Sequence, residues 1–472
     1  MQINSPQFKQ RATVALQDMR LQKALSKAKG GFIDKRLAAI SALPEFEALR
    51  ERGKAIKQHT LENLDFYLER FESQVIAQGG KVHWASSSEE ACQLILEISR
   101  AANAKVITKG KSMVGEEISL NEALEADGFK VVETDLGEYI IQLAHEPPSH
   151  IIAPAVHKTR EQISDLFHEH HQQYGLTQKL DSVPELVNEA RTVLRSQFLS
   201  ADVGITGANF LIAETGSTVI VTNEGNGDLT NTLPRVHIVM TSIEKVVPTL
   251  NDATTLLRLL GRSATGQEMT SYTTFTTGVR REGELDGAQE FHVVLLDNGR
   301  TTMLGDEFKD MLRCIRCGAC MNHCPVYGSV GGHAYGWVYP GPMGSVLTPL
   351  MIGLKAAQDL PNASTLCGRC EQVCPMKIPL PTMLRQHRIN AYEQDLMPNR
   401  ARWALKIWAY FAKRPALYQK LASIKIGILG FLGGGRGSFR YLPFAGAWTK
   451  NRDFPAPQGK TFMAQWKARK SA

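Results

Sequence analysis

The stretch Cys314-Ile-Arg-Cys317-Gly-Ala-Cys320-Met-Asn-His-Cys324-Pro325, answered by Cys367-Gly-Arg-Cys370-Glu-Gln-Val-Cys374-Pro375, holds seven of the eight cysteines in the 472-residue chain. Two-residue gaps let a short looping backbone aim three sulfurs at one iron-sulfur cluster, and the fourth sulfur has to come from elsewhere. In paired arrangements of this spacing the last cysteine of each run ligates the other cluster, and the proline after it turns the chain away. On that rule Cys314, Cys317, Cys320 and Cys374 hold cluster one. Cluster two takes Cys324, Cys367 and Cys370, and the position of its remaining cysteine, three before Cys367, is Ser364. A Ser364 or solvent oxygen completes a 4Fe-4S cubane there, or the cluster is 3Fe-4S, or its fourth iron is labile. Electron transfer is the first function these residues point to.

Structural zinc also uses paired Cys-x2-Cys runs, but seven thiolates overfill one tetrahedral site and do not divide into two. A disulfide framework is disfavoured by the size of the chain and the scarcity of cysteine outside the two runs. Cys92, in Glu-Ala-Cys-Gln-Leu-Ile-Leu, reads as a helix-face thiol acting as a small hydrophobe.

The module from 300 to 395 is flanked by very different segments. From Arg400 onward fifteen Lys and Arg face one acid, Asp453, so the preceding 399 residues carry about −7 within the total of +7. This basic tail also contains Trp403, Trp408, Trp448 and Trp466, four of the six tryptophans. Docking of an acidic partner subunit is its first reading and peripheral contact with an anionic membrane the second. Nucleic acid is not expected, because no nucleic-acid motif is present and the rest of the chain is acidic. The N-terminal stretch is charged throughout and lacks the apolar centre of a secretory signal, which predicts a cytoplasmic protein, with any membrane contact peripheral and at the inner face. The charge-poor run Pro325 to Leu354 is broken by glycines and by Pro340, Pro342 and Pro349, so no membrane span is predicted.

Residues 1–55 read as a polar helical arm packing on a neighbour or on the next domain. Between 56 and 299, strands and helices alternate. Leu61, Leu64, Leu68, Phe71 and Val75 recur at helical spacing, and Lys81–Ala85 reads as a strand. A helix from Ser88 to Arg100 and a strand Lys105–Thr108 follow, then a helix Glu116–Ala126 and a strand Lys130–Thr134. Ser182 and Glu185 form a capping box ahead of Leu186, Ala190, Val193, Leu194 and Phe198. Strands are expected at Ser217–Thr222, Val236–Met240, Tyr272–Val279 and Glu290–Leu296, with a helix near Thr249–Leu260. The fold class is α/β, and one sheet covered on both faces is the simplest packing. The distance between Cys324 and Cys367, with a helix-like interior at Leu347–Ala357, favours an α-helical ferredoxin over a compact hairpin type, followed by a helical basic tail over 396–472.

Thr108-Lys-Gly-Lys-Ser-Met113, Thr134-Asp-Leu-Gly-Glu138, Gly204-Ile-Thr-Gly-Ala-Asn209, Ala213-Glu-Thr-Gly216 and Asn223-Glu-Gly-Asn-Gly227 together resemble the LUD domain. With the cysteine module behind them, the chain resembles the lactate utilisation protein B family. That resemblance implies a fold similar to sugar-phosphate isomerases and CoA transferases. It implies an iron-sulfur component of a three-part system oxidising L-lactate to pyruvate, which relays electrons from a partner dehydrogenase to a quinone or another carrier and is not itself the catalyst. The seven-cysteine set with Ser364 fits the family. Two other function classes stand beside this one, a self-sufficient oxidoreductase of an organic acid and a redox-sensing regulatory protein.

Lys109 and Lys111, between a strand and a helix, are candidates to hold a carboxylate or phosphate, against the plainer reading of a solvated loop with a helix cap. Gly204, Gly207, Gly216, Gly225 and Gly227 allow close approach to a ligand or supply turns. Glu214 and Glu224 read as hydrogen-bonded to local backbone. His168, His170 and His171 cannot converge on one ion and read as a solvated face. His323 and His333 are expected to donate hydrogen bonds or face solvent, with tuning of the clusters as the alternative.

Overall fold

The computed structural model describes residues 3–433, 435–443, 445–449 and 452–470, and the chain divides into two compact units between Ala391 and Tyr392. In the first unit, strands β1 (Lys81–Ala85), β2 (Val106–Gly110), β3 (Lys130–Glu133), β4 (Val203–Thr206), β7 (Val236–Ser242) and β10 (Glu290–Leu296) form one sheet in the order β1-β10-β7-β4-β2-β3. Every pair in it is parallel. Val203, Ile205, Ile238, Met240 and Val294 bury one face beneath the helices Ser88–Ala101 and Leu120–Ala126. The helix Leu64–Ala77 covers the other face with Leu64, Leu68, Phe71 and Val75. Apolar residues on both faces of the central strands are what a parallel sheet buried on two sides requires.

The single-sheet expectation is corrected by a second sheet of four strands. β5 (Phe210–Ile212) and β6 (Ser217–Thr222) pair antiparallel, β8 (Val246–Val247) extends β5 in parallel, and β9 (Tyr272–Thr276) pairs antiparallel with β6. The tight turn at Gly216, with φ +69°, reverses the chain within a few residues, and a hairpin of that kind cannot enter a parallel ladder. The expected helix from Glu116 to Ala126 is two, Met113–Glu117 and Leu120–Ala126, divided at Ser119 in the left-handed region.

Every regular element from Arg300 to Glu393 is helical, with Gly341–Ile352 and Leu380–Glu393 the longest. The middle helix starts before the predicted Leu347–Ala357 segment and ends within it, at Ile352. The N-terminal helices Phe8–Ala15, Met19–Ser41 and Phe46–Glu62 pack on this cysteine-bearing part, and the last runs through position 55 without a break. Arg36 donates to the Val373 carbonyl at 2.8 Å and Arg50 to that of Cys374 at 2.6 Å. Leu43, Phe46 and Leu49 join Phe210, Leu256 and Leu260 with Cys317, Cys370 and Cys374 in one apolar core.

The second unit contains the helices Asn399–Ala412 and Pro415–Gly433 and a two-stranded pair of β11 (Ser438–Phe439) and β12 (Phe454–Pro455). Trp403, Ile407, Trp408, Ile428 and Phe431 are exposed on it. Arg414 lies over the Tyr410 ring and Arg452 over Trp448, both at 3.7 Å. Among the described residues no helix is long and apolar enough to cross a membrane.

Candidate iron-sulfur centre and the adjoining cavity

The two cysteine runs share one backbone design. Arg316 and Gly318 flank Cys317 with φ +57° and +71°, and Leu366 and Gly368 flank Cys367 with φ +53° and +81°. Short helices follow both, Ala319–Asn322 and Arg369–Gln372. Non-glycine residues enter the left-handed region at a cost of about 1 kcal/mol, so its use at Arg316 and Leu366 marks a loop held for a purpose. The Arg316 amide donates to Cys314 Sγ at 3.4 Å, and the Leu366 amide donates to Ser364 Oγ at 3.1 Å. Ser364 Oγ thus stands in the second loop where Cys314 Sγ stands in the first.

Cys314, Cys317, Cys320 and Cys374 line one small cavity with Met311, Met343 and Ile378. Burial and the neighbouring thiols push Cys317 up to about 12 and Cys374 up to about 11. Thiols held dry in this way would lose their protons to solvent only as a strong Lewis acid binds the sulfurs, which is the behaviour expected of a cluster ligand set. Burial, Cys324 and Cys367 together leave Cys370 at about 12. Cys367 differs. It is exposed, and the Arg369 amide and the Thr365 hydroxyl favour its thiolate. Cys370 also raises Cys320, so the two sets adjoin. Among the described residues no three of these sulfurs lie within 4.8 Å of one another. A zinc tetrahedron with Zn–S near 2.3 Å needs them about 3.8 Å apart, whereas a cubane holds them wider.

A buried network that sequence reading missed lies beside the cavity of Cys314, Cys317, Cys320 and Cys374. Arg300 grips Glu117 with two nitrogens at 3.0 and 2.8 Å, and its Nε approaches Glu244 Oε2 to 2.9 Å without hydrogen-bond alignment. Tyr339 donates to Glu117 at 2.7 Å. Arg316 lies 3.6 Å from Glu244 and 4.7 Å from the Tyr339 ring centre. Burial opposes ionisation of Glu244, but Arg300, Arg316 and Lys245 hold it down to about 2. Lys245 is buried and has no hydrogen-bond or ion-pair partner among the described residues; burial and Arg316 push it down to about 8. Lys57 donates to the Glu244 and Val246 carbonyls. The four cations Lys57, Lys245, Arg300 and Arg316 therefore face two carboxylates.

Of the earlier candidates, Lys109 is corrected. It is fully buried and neutralised by Glu133 at 2.7 Å and Glu116 at 3.0 Å, leaving it no anion to recruit. Lys111 lines the larger cavity but pairs with Asp135. Gly204 and Gly207 make room for chain rather than ligand, since a Cβ would sit 1.8 Å from the Thr230 carbonyl and 2.3 Å from that of Lys111. Glu214 accepts from the Leu250 amide and Glu224 from that of Asn223. Cys92 is half-buried, its thiol near the Ile118 carbonyl. Ser182 accepts from the Glu185 amide, while the Glu185 carboxylate turns to the Ser182 hydroxyl. The solvated reading of the histidine run is corrected at His171, which is fully buried between the Tyr139 hydroxyl at 2.9 Å and Glu189 at 2.6 Å. His323 and His333 each donate to a carbonyl, Ala319 and Pro147.

His150 fastens the cysteine module to the α/β part. Its Nδ1 accepts from the Ile152 and Ala153 amides at 3.0 and 3.1 Å, leaving Nε2 to donate to Asn322 Oδ1 at 2.8 Å. Protonation of Nδ1 would break both amide contacts, and burial pushes the ring down to about 4 from the ordinary 6.5. The folded pKa is the lower one, so the stabilisation is whole above about 6.5 and is lost as pH falls towards about 4. Acidification from pH 7 to pH 5 is expected to cost about 2 kcal/mol at this residue. His150→Asn keeps an acceptor and has no proton to take up, and its melting temperature should fall less than wild type's over that interval. Equal falls would show that His150 is not responsible.

Two family descriptions match the chain, the LUD domain over residues 68–296 and the 4Fe-4S dicluster domain over residues 310–378. Curated relatives match over nearly the whole length. Lactate utilization protein B of Bacillus velezensis is 46% identical over 99% of this chain and 98% of its own. The protein of the same name from Bacillus subtilis strain 168 is 46% identical over 98% and 96%, and that from Lysinibacillus sphaericus is 44% identical over 99% and 98%. A solved DUF162-family protein from Deinococcus radiodurans aligns at a TM-score of 0.29 and 12% identity, over 50% of this chain and 98% of that one, too distant a likeness to bear on the fold. With both domains in this order and full-length identity of this degree, the chain belongs to the lactate utilization protein B family.

Proposed function

We propose that this chain is the iron-sulfur electron-transfer component of an L-lactate oxidising system. It takes electrons from a partner dehydrogenase and passes them through two clusters to a quinone or another carrier. The observation that carries the reading is the convergence of Cys374, from the second run, on the cavity of Cys314, Cys317 and Cys320. Bound there, a cluster supplies one-electron storage, which lets two adjoining sites hold the pair of electrons released by one lactate. The protein's own part is to exclude water with Met311, Met343 and Ile378 and to offset cluster charge with Arg316. The division at about 55, 299 and 395 and the likeness to the isomerase and CoA transferase folds belong to the same proposal. So do a cytoplasmic location and docking of an acidic partner subunit by the tail, which its exposed tryptophans and its excess of basic over acidic residues support.

The test is anaerobic reconstitution followed by EPR. Lactate should reduce the clusters only when the partner components are added, and the isolated chain should not oxidise lactate with an artificial acceptor. Turnover by the chain alone would overturn the assignment.

The match of Ser364 Oγ to Cys314 Sγ supports a ligand position at Ser364 in cluster two. Ser364→Cys is expected to keep all its iron under mild oxidation that leaves a 3Fe-4S signal in wild type. An unchanged oxidised EPR spectrum would remove Ser364 from the ligand sphere.

A further inference from the structure

A second cavity, of about 540 Å³, opens at the carboxyl ends of β2, β3, β4 and β7, lined in turn by Lys111, Asp135, Asn209 and Lys245. Its size is that of a small-molecule site, and carboxyl strand ends are where open α/β sheets place ligands. Ile151, Ile152, Pro154, Leu260 and Ala264 form an apolar wall, and Arg316 and Tyr339 reach it from the cysteine module. Lys245 lines this cavity as a buried ammonium that makes no hydrogen bond or ion pair among the described residues and feels only the longer-range field of Glu244, which Arg300 and Arg316 already share. A buried charge in that state costs free energy unless something answers it. Arg316, its neighbour, is only loosely matched by Glu244 at 3.6 Å. Asn209 is pinned by its oxygen, which accepts from the Val221 amide at 2.9 Å, so its amide nitrogen is free to donate.

We propose that this cavity binds a small organic carboxylate, its two oxygens held by Lys245 and Arg316 with Asn209 as a further donor, and its apolar body against Ile151, Ile152 and Leu260. A carboxylate suits the site because the guanidinium fork can donate to two oxygens, and because the wall of Ile151, Ile152, Pro154, Leu260 and Ala264 accommodates a carbon body that a phosphate lacks. Arg316 lines both this cavity and that of Cys314, Cys317, Cys320 and Cys374. An occupant would therefore lie one side chain from cluster one.

The inference stands apart from the electron-transfer reading, and its test does not use lactate turnover. Full-length protein loaded with clusters under anaerobic conditions is titrated by calorimetry with pyruvate, L-lactate, phenylpyruvate and inorganic phosphate. At least one of the three carboxylates should bind saturably, phosphate should not, and the bound carboxylate should alter the EPR line shape of cluster one. Lys245→Met should weaken binding about tenfold or more, and Lys245→Arg should restore most of it, with visible iron-sulfur absorption the same in all three proteins. Asn209→Asp, which keeps the acceptor for Val221 and adds a negative charge, should weaken it as well. The proposal is overturned if no carboxylate binds wild type up to about 10 mM, if phosphate alone binds, or if Lys245→Met binds as wild type does. A shifted cluster potential in Lys245→Met with unchanged binding also overturns it, since Lys245 would then serve the cluster alone.

Discussion

Cys374→Ala is expected to remove cluster one, halving the iron from about eight atoms per chain to about four, although the residue lies outside the run that supplies the other three sulfurs. The expectation follows from the cavity shared by Cys314, Cys317, Cys320 and Cys374. If each run served its own cluster, the same substitution would damage the set containing Cys367 and Cys370 and leave Cys314, Cys317 and Cys320 complete with Cys324. EPR separates the outcomes, because the surviving signal should be that of the three-cysteine cluster. Cys324→Ala is the converse, sparing cluster one and removing cluster two, which has no thiolate to lose. Loss of cluster one should also be felt in stability. Cys374 belongs to the core of Leu43, Phe46 and Leu49, and without iron burial keeps the Cys317 and Cys320 thiols protonated in a cavity where Arg316 has lost a neighbour. A variant retaining about eight irons would reject the crossed ligand set.

The proposed crossing rests on local spacing alone, and the parallel strands could be read because each repeats apolar residues over a short window. What could not be read depends on residues that meet across long stretches of chain. Lys109 looks like a loop lysine beside Gly110, and its neutralising partner, Glu133, sits on the adjacent strand β3, where only the pairing of Lys109 with Glu133 in register brings them together. The second sheet escaped for a similar reason. The strand runs of β6 and β9 were legible, but their antiparallel pairing, Val219 against Phe275, is a long-range choice. His171 shows the same limit on a helix end, since the solvated reading considered its neighbours in sequence while Glu189 comes from the helix Val183–Ser200. Arg300, Glu117 and Glu244 left no sequence signal, for each follows a different strand of the main sheet.

Those three residues carry the other large expected effect, a loss of about 3 to 5 kcal/mol in Arg300→Met. The magnitude comes from what the substitution leaves behind. Arg300 and Glu117 are almost wholly inaccessible, and among the described residues Arg300 is the only cation Glu117 contacts, its remaining partners being Tyr339 and Asn298. Methionine fills the aliphatic volume but strands a buried carboxylate, whereas Glu117→Gln leaves Arg300 its contact with Glu244 and should cost less. The order of the two variants is thus part of the prediction. Because Glu117 follows β2, Glu244 follows β7 and Arg300 follows β10, while Tyr339 and Arg316 come from the cysteine module, the network ties the sheet to the loop of Cys314 and Cys317. Arg300→Met should therefore lower the melting temperature by about 5 to 10 °C and expose the segment after β10 to limited proteolysis. Bleaching of cluster one at 25 °C should accelerate in the same variant. If melting, proteolysis and cluster lifetime all stayed at wild-type values, the network would be a passive feature of the interior and not the tie between the two domains.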